Sequence, residues 1–160
     1  YHDIINSNSA IKEYSFKPEP IFYGDNSRYF GVELEIDGAG KDSDNAREIL
    51  DIGNEDGDHI YIKSDGSLDD GMEIVSHPMT LDYHKNYCWS EIMKKAVSLG
   101  YRSHQTSTCG LHIHVNRICF GESRGQTSGI DEILYRKFLV CRMYFAHAGT
   151  QNQCGNTVDI

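Results

Sequence analysis

The segment at residues 29–37 constrains the fold of this chain more than any other. Within it, apolar side chains alternate with glycine and acidic residues, as Phe30, Val32, Leu34 and Ile36 against Gly31, Glu33, Glu35 and Asp37. A period of two is typical of a β-strand that buries one face. The chain therefore needs a sheet whose apolar face is covered and whose opposite face has several carboxylates.

The remaining pattern predicts the elements around this strand. Residues 60–63 and 72–76 predict a hairpin with a long loop, and residues 110–116 alternate again as a strand. Apolar spacing predicts a short helix capped by Asn45 and running to residue 52, and longer helices at 81–99 and 130–147. Residues 1–28 are expected to be an irregular lead-in. This order predicts a single α+β domain at 29–160 with a mainly antiparallel twisted sheet and helices packed on one face.

Composition excludes several classes of function. The chain has 15 Lys and Arg against 24 Asp and Glu, a formal net charge of −9, so it lacks the basic surface that nucleic-acid binding requires. No apolar run approaches the roughly 20 residues of a membrane span. Five cysteines without a C-x-x-C spacing favour the reducing cytoplasm over a disulfide scaffold. The oligomeric state stays open, and a homo-oligomer is compatible with the small core.

Two pairs of polar residues have the spacing of metal ligands. Glu33 and Glu35 project from one face of a strand, about 7 Å apart at the backbone, and His112 and His114 have the same spacing on another strand. Glu73 adds a carboxylate on a mostly apolar strand. Either feature alone is common on a solvated strand, but an E-x-E and an H-x-H strand in one small sheet suit a divalent cation.

Four ordered blocks resemble the amidoligase family of carboxylate–amine ligases. They are FGVELEI at 30–36, SDGSL at 64–68, GMEIVSHP at 71–78 and CGLHIHV at 109–115. The last block is also similar to the Gly-Met-His-Cys-His segment of glutamine synthetases. The resemblance implies a glutamine-synthetase-like sheet whose concave polar face binds two or more Mg²⁺ or Mn²⁺ ions between ATP and a carboxylate substrate.

The resemblance also implies roles for individual residues. Glu33, Glu35, Glu73 and His112 match metal ligands, and His114 matches the histidine that contacts the phosphates of ATP. Asp65 is the catalytic candidate, in a loop on the substrate side. The implied activity is an ATP-dependent ligation in which a carboxylate becomes an acyl phosphate and an amine, from a small molecule or a protein, displaces phosphate.

Two further expectations follow from the comparison with that family. Its members supply arginines from strands after the histidine motif, whereas Arg136 and Arg142 fall here in a predicted helix. We therefore expect the domain to continue beyond residue 160. The alternative is a catalytically inactive amidoligase-like domain that serves as a binding or structural module and leaves the acidic residues merely solvated.

Overall fold

The chain folds around one six-stranded sheet. The computed structural model describes residues 9–25, 28–104 and 106–116, together with the backbone of Phe138–Met143. Strands β1 (Ile11–Lys12), β2 (Phe30–Asp37), β3 (Ile60–Lys63), β4 (Gly71–Ser76), β5 (Leu111–Asn116) and β6 (Phe138–Met143) lie in the order β1-β3-β4-β2-β5-β6. Among the strands of the described residues, β1 and β3 are the one pair that runs parallel. The α+β class and the mainly antiparallel sheet are confirmed, and so is the β3–β4 hairpin.

Helix α1 (Ser43–Gly53) follows β2, and its start differs from the prediction. Asp42, rather than Asn45, is the N-cap, and its carboxylate accepts hydrogen bonds from the backbone N–H groups of Asp44 and Asn45. An acidic cap satisfies two of the free N–H groups at a helix start and interacts favourably with the helix dipole.

The single helix predicted at residues 81–99 is wrong, because the segment forms two helices, α2 (Leu81–Asn86) and α3 (Trp89–Ser98). Between them Tyr87 is extended, with φ −74° and ψ 151°. Its hydroxyl donates to the carbonyl of Gly53 over 2.7 Å, and its ring packs edge-on against Trp89. These contacts tie the break to the end of α1, which periodicity along the segment does not reveal.

Two other predictions need correction. The predicted helix at 130–147 contains β6, which pairs antiparallel with β5 and places Arg142 in register with His112. The rest of that prediction, including Arg136, lies outside the described residues. Within the lead-in, β1 adds a parallel edge strand beside β3, so residues 1–28 are not wholly irregular. In both places strand pairing with a distant segment outweighs the local pattern.

The apolar core lies between the sheet and helices α1 and α3. Its buried members come from strands β2, β3 and β4, from helices α1 and α3 and from the segment that follows α3, namely Leu34, Ile36, Ile60, Ile62, Met72, Ile74, Ala46, Ile49, Ile92, Ala96 and Tyr101. The alternation in β2 therefore places Leu34 and Ile36 under the helices and leaves its carboxylates for the opposite face. Among the described residues, no helix is both long and apolar enough to cross a membrane.

Candidate metal centre

Strand register brings the predicted site residues together on the face opposite the helices. On one side of β2, Glu33 pairs with His112 of β5. On the other side, Glu35 pairs with Glu73 of β4, which pairs in turn with Lys63 of β3. Residues directly opposite each other in an antiparallel pair have neighbouring side chains on the same face. Four strands therefore contribute to one polar cluster.

The cluster contains two overlapping triads of ligand atoms. Glu33, Glu73 and His112 form one, and Glu35, Asp65 and Glu73 form the other, with the ligand atoms of each within 4.8 Å of one another. Glu73 belongs to both, so its two carboxylate oxygens can serve neighbouring cations. All four residues predicted as metal ligands lie here.

Asp65 joins the metal ligands rather than standing apart from them. It is half-buried in the loop between β3 and β4, where its carboxylate accepts a hydrogen bond from the backbone N–H of Ser67 over 2.8 Å. That bond closes a turn and directs the loop to the edge of the cluster. The structure groups Asp65 with Glu35 and Glu73, and its catalytic role stays a prediction.

The histidines make ion-pair contacts with the carboxylates. His112 Nδ1 lies 3.3 Å from Glu33 Oε2, and His112 Nε2 lies 3.9 Å from Glu35 Oε1. His114 Nε2 lies 3.1 Å from Glu33 Oε1. His114 belongs to neither triad, although it borders the first one through Glu33. This position is compatible with a ligand-contacting role beside the metals, and the predicted contact with ATP remains a prediction.

Neighbouring groups shift the pKa values of Glu33 and Glu73 in opposite directions, whereas burial raises both. Burial raises the pKa of Glu33, but a hydrogen bond and charge from His114, a hydrogen bond from His112 and the charge of Lys63 outweigh it and lower that pKa to about 2. Burial, the charge of Glu33 and that of Asp65 raise the pKa of Glu73 to about 7, against the opposing charge of Lys63. Of these two carboxylates, Glu73 is therefore the one whose charged form a bound cation would stabilise more.

The backbone of Gly110 holds the carboxylate of Glu35 in place. Its backbone N–H donates to Glu35 Oε2 over 2.5 Å. A Cβ at this position would lie 3.4 Å from that oxygen and 3.6 Å from His112 Nε2, within ordinary van der Waals contact. The hydrogen bond from Gly110 therefore fixes the Glu35 carboxylate beside His112.

Sequence reasoning missed Lys63. Its Nζ lies 3.4 Å from Glu73 Oε2, and its side chain is only 12% exposed. The signal was present, because Ile60 and Ile62 are the apolar members of β3 and the alternation assigns Tyr61 and Lys63 to the polar face. Strand β3 is only four residues long, and the register between β3 and β4 places Lys63 opposite Glu73.

Asp37, the third acidic residue on the polar face of β2, has a structural role. Its carboxylate accepts hydrogen bonds from the backbone N–H groups of Gly38, Asp69 and Asp70 and from the hydroxyl of Thr108. Burial raises the pKa of Asp37, but these hydrogen bonds outweigh burial and lower it overall. This carboxylate therefore fixes the loop that follows Asp65 and the connector that precedes Gly110. Both segments adjoin residues of the cluster.

The donor set of the cluster fits Mg²⁺ or Mn²⁺. Four carboxylates and one imidazole are ligands that these cations accept, Mn²⁺ tolerating the nitrogen more readily. Glu73 is 3% exposed, and its buried Oε2 has the ammonium of Lys63 3.4 Å away. A single ammonium does not neutralise the four carboxylates of the cluster, and buried carboxylates are costly unless cations neutralise them.

Comparisons of the chain with protein-family models, with curated proteins and with solved structures gave no match. Proposals about function therefore depend on the residues of the chain and on the resemblance of its motifs.

Proposed function

We propose that the polar face of the sheet is a divalent-metal centre. Glu33, Glu73 and His112 hold one cation, and Glu35, Asp65 and Glu73 hold a second. The observation that carries this proposal is the convergence of five ligand residues from three strands and one loop on two triads that share Glu73. The raised pKa of Glu73 supports it, since burial and the neighbouring carboxylates of Glu33 and Asp65 disfavour the charged form that a bound cation would stabilise.

We further propose that this centre belongs to an ATP-dependent carboxylate–amine ligase. The four motif blocks that resemble the amidoligase family all contribute to one sheet face or its adjoining loops, although they are far apart in sequence. The bound cations would supply Lewis-acid stabilisation to phosphoryl transfer from ATP to a carboxylate. Glu33, Glu35, Asp65, Glu73 and His112 would hold them, while His114 at the border of the first triad contacts a phosphate of the nucleotide.

The second candidate is an amidoligase-like domain without turnover. It is favoured by the ion pairs that the site makes within itself, Lys63 with Glu73 and His114 with Glu33. These contacts partly neutralise the carboxylates without a metal ion. Both candidates predict the same fold and differ in metal binding, since the inactive domain leaves the acidic residues solvated.

Calorimetric titration with Mn²⁺, and then with ATP in the presence of Mn²⁺, tests these proposals. We expect wild-type protein to bind Mn²⁺ and then ATP in a Mn²⁺-dependent manner. Glu73→Gln should weaken Mn²⁺ binding by at least tenfold, because it removes the carboxylate common to both triads. Glu91→Gln makes the same chemical change at an exposed position of α3 and should bind like wild type.

The outcomes separate the candidates. Binding of Mn²⁺ without ATP would contradict the ligase and retain the metal centre. No binding of Mn²⁺ by wild-type protein would contradict the metal centre itself and favour the inactive domain. An acyl phosphate intermediate is detected by adding hydroxylamine, which converts it to a hydroxamate in an ATP-dependent reaction.

We place the protein in the cytoplasm as part of this proposal. ATP and Mg²⁺ are abundant there, and both Cys88 and Cys109 carry free thiols. Burial raises the pKa of each thiol, which makes thiolate chemistry unfavourable at these positions.

A further inference from the structure

Lys63 is a largely buried cationic residue beside the candidate metal ligands. Its side chain is 12% exposed, and its ammonium lies 3.4 Å from Glu73 Oε2 and 5.4 Å from the ring centre of Tyr14. Placing an ammonium group next to a divalent cation is unfavourable by simple repulsion. A purely structural explanation would require a close ion pair that satisfies both groups.

The contact with Glu73 leaves part of the ammonium unused. Glu73 Oε2 lies 3.4 Å from Lys63 Nζ and offers that ammonium one acceptor atom. A lysine ammonium has three donors and binds strongly where they are directed at acceptors. Lys63 therefore has donor capacity that Glu73 does not use.

A second lysine stands beside Lys63. Lys12 of β1 is its register partner in the parallel β1–β3 pair. Like charges at matched positions on neighbouring strands repel each other, so the two ammonium groups make this edge of the sheet more positive. The polar face thus changes from carboxylates on β2 and β4 to ammonium groups on β3 and β1.

Charge balance points to the same ligand. With the proposed function taken as correct, the carboxylates of Glu33, Glu35, Asp65 and Glu73 balance two divalent cations. Lys63 then adds a positive charge that these carboxylates no longer offset. An anionic group bound at this edge of the site restores neutrality and uses the donors of the ammonium.

We propose that Lys63 binds a phosphate group of the substrate at the edge of the metal centre and couples the binding of metal to the binding of that phosphate. Without phosphate, Lys63 opposes the entry of the cation through repulsion. With phosphate present, the ammonium and the metal bind the same anion, so each favours the other. The inference depends on the proposed metal centre.

The test is a Mn²⁺ titration with and without inorganic phosphate. The electron paramagnetic resonance signal of the free ion reports how much Mn²⁺ stays unbound. In wild-type protein, phosphate should tighten Mn²⁺ binding. Lys63→Met should bind Mn²⁺ alone about fivefold more tightly, since a positive neighbour is removed, and should lose the effect of phosphate. Lys63→Arg keeps the charge and should keep the coupling.

Control measurements separate this role from a structural one. Lys95→Met removes a lysine from α3, where Lys95 pairs with Glu48, and should leave both titrations unchanged. Acetate in place of phosphate should have a much smaller effect, and an acetate effect equal to that of phosphate would overturn the assignment to phosphate. Lys63→Gln replaces Lys63→Met if the latter folds poorly.

Three results would overturn the inference. If Lys63→Met weakened Mn²⁺ binding equally with and without phosphate, Lys63 would be structural. If Lys63→Met retained the phosphate effect while wild type bound Mn²⁺ normally, this inference alone would fail. If wild type bound no Mn²⁺ under either condition, the proposed metal centre would fail with it.

Discussion

At the scale of single residues, similar side chains acquire different properties from their positions in the sheet. Glu33 and Glu73 are both carboxylates on the polar face, yet the pKa of Glu33 falls to about 2 and that of Glu73 rises to about 7. Burial opposes ionisation of both. Two histidines compensate Glu33, whereas Glu73 has Lys63 on one side and Glu33 on the other.

Glu73→Gln should remove a pH dependence of stability from the metal-free protein. Folding raises the pKa of Glu73 above its usual value of 4.5, so between pH 4.5 and 7 the folded state holds a proton that the unfolded state has lost. The free energy of unfolding therefore decreases as pH rises through that interval, by up to about 3 kcal/mol in total. Gln cannot titrate, so the variant should lack this decrease.

Urea denaturation of both proteins at pH 5, 6, 7 and 8 with a chelator present measures the difference. The lowered pKa of Glu33 acts below this interval, since its contribution is lost as pH falls from 4.5 towards 2, and it is common to both proteins. Glu91→Gln is the control and should follow the wild-type profile. Parallel profiles for wild type and Glu73→Gln would contradict the assigned pKa.

At the scale of elements, β2 positions the site because it is the strand between β4 and β5. Each carboxylate along it serves a different neighbour. Glu33 and Glu35 contact β5 or the residue before it, and Asp37 holds two loops at the end of the strand. The ligand geometry therefore depends on register on both sides of one strand.

Asp37→Asn should destabilise the protein by about 2–3 kcal/mol, because an amide cannot accept all four hydrogen bonds that the carboxylate accepts. Thr108→Val removes only the hydroxyl contribution and should cost about 1 kcal/mol. Chemical denaturation at pH 7 measures both. Equal stability of wild type and Asp37→Asn would show that the carboxylate is not needed to hold these loops.

At the scale of the whole molecule, the sheet separates two functions. One face packs on α1 and α3 through the apolar core, and the other face carries the candidate metal centre. Stability and binding are therefore linked, because the repulsion that the carboxylates impose on the fold is relieved when a cation binds.

Divalent cations should stabilise the folded chain by mass action. At a Mn²⁺ concentration of 100 times the dissociation constant, the gain is about 2.7 kcal/mol, which corresponds to a rise in melting temperature of several degrees. Differential scanning calorimetry at pH 7.5 with increasing Mn²⁺ measures this rise. Glu73→Gln should show a much smaller one, and an equal shift in both proteins would indicate cation binding elsewhere.

Local pattern sufficed for much of the fold. The alternation in β2, β3 and β5 predicts those strands, and their apolar faces follow directly from the period of two. The helix break at Tyr87 and the strand at Phe138–Met143 did not follow, because both depend on partners distant in sequence. Local propensity competes poorly with such contacts.

The sequence by itself determined which residues could form the candidate site. Glu33, Glu35, His112 and His114 stand at polar positions of alternating strands, and Glu73 is a carboxylate on a mostly apolar strand. Only the tertiary structure decided that Glu73 is shared between two triads, that Lys63 stands beside it and that Asp37 holds loops. The physical reason is that alternation fixes the face of a side chain within its own strand. Strand order and register fix its neighbours, and those neighbours with burial fix its charge.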